Sequence, residues 1–358
     1  MHKRQITFAQ AAHEALDIVL ARDKSVFIIG EGVPDPKGIF GTTLGLAQKY
    51  GKDRVMDMPV SENGMTGVCI GAALHGMRPI LIHQRLDFSL LSFDQIANVA
   101  AKWHFMFGGK KSVPLVIRMM IGRGWGQGSQ HSQSLQALFG HIPGLKVVMP
   151  SSAHDVKGLL ISAVFDNNPV IFIEHRWLYN ILGDVAEGYY EEPIGEARIV
   201  KGGKDITLAA SSYMVVEGLK AANMLEKEGI SVELIDIRSI KPFDQKTVLS
   251  SVEKTGRLLA ADTGHKSLGF GAEVIARVSE LAFEDLRMAP RRVSIPDIPA
   301  PTSWKLAENY YPNYMDIASE ILSMMGIGQM KVNSILKKYQ PGGKIRSDVP
   351  DESFTGPF

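Results

Sequence analysis

The run Ser25-Val26-Phe27-Ile28-Ile29-Gly30 constrains the fold more than any other stretch, because it is apolar on both faces and stops at Gly30-Glu31-Gly32. A strand with one wet face alternates polar and apolar residues, whereas a strand buried on both faces belongs to a parallel sheet covered by helices. Continuous apolar runs recur at 78–84, 113–118, 146–150 and 170–174, with helical patterns at 44–50, 92–102 and 153–165 between them. Strand and helix therefore alternate, and the first half reads as a doubly wound α/β domain.

The alternation starts again after a polar, glycine-rich stretch. Strands are expected at 206–210, 232–236, 258–261 and 292–295, and helices at 215–228, 246–254 and 271–281. The expected division is a first α/β domain over 1–185, a linker over 186–203, a second α/β domain over 204–328, and a tail over 329–358. No periodicity is read from Lys331 onward, so the tail is expected to be extended or disordered.

The chain of 358 residues carries 39 Lys plus Arg against 38 Asp plus Glu. That balance provides no broad positive field for nucleic acid or an anionic membrane, and neither partner is expected. Its single cysteine, Cys69, excludes an internal disulfide and lies among small residues, where an inert core thiol is the plain reading. No targeting segment is read before the helix that opens at Thr7, its candidate N-cap, and no apolar run reaches membrane-spanning length. A cytoplasmic protein is expected.

Residues just beyond the carboxyl ends of parallel strands line the ligand crevice of open α/β sheets. Glu31 and Phe88 follow strands in this way. Glu62 stands in Asp57-Met58-Pro59-Val60-Ser61-Glu62-Asn63-Gly64, where a loop enters a small-residue helix. A carboxylate there also reads as a cap on the helix dipole. The glycine-rich loop 122–133 matches neither a Walker loop nor a dinucleotide fingerprint and ends in Gln130-His131-Ser132-Gln133. His131 and His265, the latter in a second glycine-rich loop, read equally as structural histidines. Asp166 and Asn168 at a helix end could hold a cation or form a plain Asx turn.

In order, Gly-Glu-Gly, Met-Pro-Val-Ser-Glu-Asn-Gly, Phe-Asp-Gln-Ile-Ala-Asn-Val-Ala-Ala-Lys, Gln-His-Ser-Gln, His-Ile-Pro-Gly-Leu-Lys-Val-Val-Met-Pro, Asp-Asn-Asn-Pro-Val and Ile-Arg-Ser-Ile-Lys-Pro-Phe-Asp resemble a known family. It is the beta subunit of the thiamine-dependent decarboxylase component of 2-oxo acid dehydrogenase complexes. The likeness runs from about residue 5 to about residue 325 and implies a pyrimidine-binding domain followed by a transketolase-C-like domain.

The resemblance implies thiamine diphosphate. Glu62 matches the carboxylate that bonds the far nitrogen of the aminopyrimidine, and Phe88 the aromatic residue against that ring, with Gln84 beside it. Glu31 matches an acidic residue near the pyrimidine. His131 matches the histidine facing the substrate or the incoming lipoyl group. Leu115, Ala163, Val164, Asp166 and Asn168 match positions that hold potassium in some members. The family's diphosphate motif, Gly-Asp-Gly followed by Asn-Asn, is missing: Gly183-Asp184 precedes Val, and Asn167-Asn168 comes before it. An alpha subunit with its own magnesium should supply that half, giving an α2β2 assembly in which beta subunits also self-associate and a lipoyl acyltransferase component is served. The expected activity is oxidative decarboxylation of a 2-oxo acid with acylation of a lipoyl domain. The alternative is a transketolase-type or synthase-type transfer to an aldehyde or ketone. Arg85 and Arg123 depart from the familiar pattern, and read either as recognising a second carboxylate or a phosphate on the substrate or, structurally, as pairing with acidic residues of the alpha subunit.

Overall fold

The computed structural model describes residues 3–124, 127–340 and 349–350. From the N-terminus run β1 (Lys3–Thr7), α1 (Phe8–Arg22), β2 (Val26–Gly30), α2 (Leu46–Tyr50), β3 (Val55–Met56), α3 (Glu62–Leu74) and β4 (Arg78–His83). A tight turn over Leu86–Ser92 and a wide turn over Gln95–Ala100 lead into α4 (Ala101–Met106). Next come β5 (Val116–Ile121), α5 (Gln136–His141), β6 (Lys146–Val148), α6 (Ala153–Phe165), β7 (Val170–His175) and β8 (Leu182–Ala186). The second half holds β9 (Arg198–Lys201), β10 (Ile206–Ala210), α7 (Tyr213–Glu226), β11 (Val232–Asp236), β12 (Ser239–Lys241) and α8 (Gln245–Thr255). It continues through β13 (Leu258–His265), α9 (Phe270–Leu281), β14 (Arg291–Ile295), α10 (Tyr314–Met324) and α11 (Gln329–Tyr339).

Seven strands form the first sheet in the order β12-β6-β7-β5-β4-β2-β3, and five form the second in the order β14-β13-β10-β11-β9. Within each, one edge strand, β12 or β9, runs antiparallel and the rest are parallel. The run that anchored the sequence reading is β2, and all five of its residues are buried. Helix α1 begins at Thr7, whose hydroxyl accepts from the Gln10 amide while the Gln10 side chain accepts from the Thr7 amide. This reciprocal cap satisfies two amides that the first turn would otherwise leave open.

In three places the chain departs from the sequence reading. The stretch read as a linker, 186–203, contains β9, which completes the second sheet against β11. Within Ile237-Arg238-Ser239-Ile240-Lys241, assigned to the second domain, β12 crosses over to pair with β6 on the first sheet. Over 329–339 the expected extended tail is a helix, because Val332, Ile335, Leu336 and Tyr339 form a stripe at helical spacing that packs on the second core. The Pro-Gly-Gly that follows masked that stripe in the composition, and 341–348 and 351–358 lie outside the described residues.

Polar bonds tie the halves together as well. Arg238 donates to Asp155 on α6 at 3.0 Å and to Glu192 at 2.8 Å, and Arg198 donates to Asp155 at 2.6 Å. Ser151 bonds the buried Asp236 at the end of β11. A buried cation and carboxylate are tolerated only when each is paired and hydrogen-bonded, as here.

Candidate active site

In the first sheet β3 lies on one side of β2 and β4 on the other, so the chain reverses its direction of winding between β2 and β4. The crevice beyond the carboxyl ends at such a reversal is where open α/β sheets bind ligands. Glu31 follows β2, and Gln84 follows β4. Gln84 Nε2 donates to the Glu31 carbonyl oxygen at 2.8 Å and ties the ends of β2 and β4 together.

The two glycines of Gly30-Glu31-Gly32 are needed for this approach. A Cβ on Gly30 would lie 2.4 Å from the Ile82 carbonyl oxygen, and Gly32, at φ +70°, would put one 2.9 Å from Gln84 Nε2. From β3, Asp57 Oδ1 accepts the Gly32 amide at 2.9 Å and the Met58 amide at 3.0 Å. Glu62 is the first residue of α3 and is 6% exposed. Burial, together with the like charges of Glu62 and Asp57, raises the Glu31 carboxyl above its usual range. Three acidic side chains thus converge at the switch point, and only two of them, Glu31 and Glu62, were picked from the sequence. Asp57 was missed although it too ends a strand.

Phe88 and His131 meet edge to face, with ring centroids 5.4 Å apart and planes at 88°. The preceding Asp87 accepts from the Gln133 side chain at 2.7 Å and from the Gln133 amide at 3.4 Å. The structure therefore brings Glu31, Gln84 and Glu62 together at the switch point and joins Phe88 to His131 a few residues farther along the β4 loop. Sequence reasoning gave Asp87 no role; its position directly before the aromatic residue was the available signal. Trp125 and Gly126 of the glycine-rich loop lie outside the described residues.

Arg85 donates to the Gly122 carbonyl at 2.6 Å and is 2% exposed. Burial, helped by repulsion from Arg176, lowers it to about 10. Arg123 donates to the Thr302 carbonyl, and its own carbonyl accepts from Trp177 Nε1 at 2.6 Å. Both arginines thus donate to backbone carbonyls of this chain. His83, at the end of β4, is lowered to about 4 by burial and stays neutral. Cys69 is fully buried and its thiol is pushed up to about 12 by burial, too high for a thiolate nucleophile.

The five expected potassium positions lie elsewhere, where α6 ends and β5 and β7 begin. Arg78 donates to the carbonyls of Val164 and Asp166, each at 3.0 Å, and Lys146 pairs with the Asp166 carboxylate. The Leu115 carbonyl accepts from the Val170 amide at 2.9 Å. A carbonyl oxygen has two lone pairs, so the donor set retains capacity for a cation. His265 belongs to neither group. Its Nδ1 bonds the Pro296 carbonyl at 2.9 Å, and it lines a cavity of about 890 Å3 with Gln136, Lys241, Phe243 and Phe270.

Residues 4–181 match the family model for the transketolase pyrimidine binding domain, and residues 195–317 that for the transketolase C-terminal domain. The acetoin:2,6-dichlorophenolindophenol oxidoreductase subunit beta of Cupriavidus necator is 44% identical over 336 residues, covering 91% of this chain and 99% of its own. The mitochondrial pyruvate dehydrogenase E1 component subunit beta of Pisum sativum is 41% identical over 318 residues, covering 88% of this chain and 89% of its own. Among solved structures, a split gene transketolase described as an inactive beta4 tetramer superimposes with a TM-score of 0.74 at 21% identity. It covers 90% of this chain and 99% of its own, and shows the shared fold. No helix among the described residues is long and apolar enough to cross a membrane.

Proposed function

The chain belongs to the beta subunits of the E1 component of pyruvate and acetoin dehydrogenase complexes, and from that membership we propose a division of labour between it and an alpha subunit. The family implies thiamine diphosphate and an alpha-subunit partner. In this reading the chain supplies the pyrimidine half of a shared site for oxidative decarboxylation of a 2-oxo acid, and acyl transfer to a lipoyl domain follows. The unit around 1–185 carries that half-site, and the unit around 204–328 braces it.

The observation that carries the proposal is the convergence of Glu62, Glu31 and Gln84 at the switch point of the first sheet, with the neighbouring Phe88–His131 pair. These residues fit a flat heteroaromatic ring bearing a basic nitrogen. Glu62 is a buried carboxylate that holds a proton at that nitrogen. Phe88 offers a ring face, worth ~0.5–1.5 kcal/mol beyond area burial. His131, packed perpendicular to Phe88, gives and takes a proton at the substrate side. Bound there, the cofactor supplies the nucleophile and electron sink for loss of carbon dioxide.

The sequence carries no motif for the diphosphate, so magnesium and the phosphates fall to the alpha subunit in an α2β2 assembly. A potassium ion at Leu115, Ala163, Val164, Asp166 and Asn168 would share carbonyls with Arg78 and brace the far edge of the sheet. A cytoplasmic site of action completes the reading.

Co-purification with an alpha subunit, then assay of a panel of 2-oxo acids with and without a lipoyl domain, is the test. Turnover only in the assembled form, raised by the lipoyl domain, is expected. Tight thiamine diphosphate binding and turnover by this chain alone would overturn the reading, and transfer to an aldehyde without a lipoyl partner would favour the transketolase-type alternative.

A further inference from the structure

The loop that ends in His131 is held to the β4 loop near both of its ends. At its start, Arg85 donates to the Gly122 carbonyl at 2.6 Å; at its far end, Asp87 accepts from Gln133 through both the side chain and the backbone. Between these ties the only ring contact of the Phe88–His131 type among the described residues of the two loops is that pair itself, at 5.4 Å. Asp87 is 8% exposed, and its Oδ2 is buried without a hydrogen-bond partner.

A buried carboxylate with one oxygen left open is costly, so the bonds that its other oxygen accepts from Gln133 must offset that cost. The loop is also tied outward, Ser129 donating to the Ala300 carbonyl at 2.9 Å, and the Asp87–Gln133 bonds are its ties to the β4 loop on the C-terminal side of His131. Asp87 is next to the residue that His131 packs against, and Gln133 is two residues from His131 itself. The pair of hydrogen bonds thus fixes the ring-to-ring geometry from both sides.

We infer that Asp87 is a positioning residue: through Gln133 it holds the imidazole of His131 against Phe88, and so sets the substrate-side proton donor and acceptor of the site. The inference rests on the role given to His131 above. It adds a residue that touches neither substrate nor cofactor and acts only through that histidine.

The test is a double-mutant cycle in the assembled α2β2 enzyme, using Asp87→Ala, Asp87→Asn, His131→Ala and the Asp87→Ala/His131→Ala pair. Asp87→Ala is expected to lower kcat about tenfold or more with little change in KM. Asp87→Asn keeps an acceptor toward Gln133 and is expected to recover most of that loss. The double variant should be no slower than His131→Ala alone, since residues acting as one unit are non-additive. A second readout needs no turnover: acylation of His131 by diethyl pyrocarbonate, followed by peptide mass spectrometry, should speed up in Asp87→Ala and return toward the parent rate in Asp87→Asn. If Asp87→Ala does not assemble, Gln133→Leu breaks the same contact from its other side and should give the same two effects.

Losses that multiply in the double variant, or a parent-like rate and labelling in both Asp87→Ala and Gln133→Leu, would overturn the inference. A parent-like rate in His131→Ala would instead remove the role assigned to His131, and with it the premise.

Discussion

Gln84 Nε2 donates to the Glu31 carbonyl oxygen at 2.8 Å, bridging the carboxyl ends of β2 and β4. Because the bond runs to the backbone, it fixes where the Glu31 side chain starts and leaves the carboxylate free to face Asp57 and Glu62. Three acidic side chains therefore meet beyond the carboxyl ends of these strands.

Glu62→Gln keeps the shape of the buried side chain and removes its basic oxygen. Turnover of the reconstituted enzyme is expected to fall about a hundredfold or more. Consumption of 2-oxo acid measured alongside circular dichroism checks it, and a near-parental rate with an intact fold would count against the assignment.

Glu31→Gln is expected to stabilise the protein while impairing activity, the usual trade at a site built from like charges. A carboxyl whose folded pKa is raised contributes stability at pH below its unfolded value, and loses that contribution as pH rises through the raised value. The substitution should therefore raise Tm at pH 7.5 and have little effect near pH 4.5. Differential scanning calorimetry at the two pH values measures the difference, and equal shifts at both would refute it.

Asp236 is raised to about 7 by burial and by the Asp155 charge beside it. The same sign applies: the carboxyl favours the folded state at low pH, and that preference fades as pH climbs through about 7. Stability of the parent should decline between pH 6 and pH 8 more steeply than that of Asp236→Asn. Urea midpoints collected across that window decide the matter; parallel curves would exclude Asp236 as the source.

The potassium site proposed where α6 ends would, if filled, stabilise the folded state by mass action. In KCl the unfolding temperature should exceed that in choline chloride at the same ionic strength, and Asn168→Ala should erase the gap. Identical melting in both salts would leave Arg78 and Lys146 as the cations of that turn.

The core strands were legible because parallel strands buried on both faces leave an unbroken apolar run; β2 and β7 show it most plainly. Glu31 and Phe88 were legible for a related reason, since strand ends point to the crevice, whereas Gln84 came only with the family resemblance. Short elements were not. The strand β12 has three residues and no period to detect, and only its partner β6, distant in sequence, makes it a strand. The stretch 92–102 read as one helix, yet a tight turn ends there at Ser92, a wide one runs over Gln95–Ala100, and α4 begins only at Ala101. Asp87 escaped notice because its meaning depends on Gln133, which lies 46 residues away and arrives only with the fold.

The crossing of β12 onto the first sheet also governs how this polypeptide is made. As the chain leaves the ribosome, the outer edge of β6 stays without a neighbour until residues 239–241 have emerged, long after β7 is complete. An open strand edge invites pairing with other chains. The nascent N-terminal half is consequently the stage at which aggregation threatens, and truncations ending before residue 239 should need a chaperone to remain dispersed.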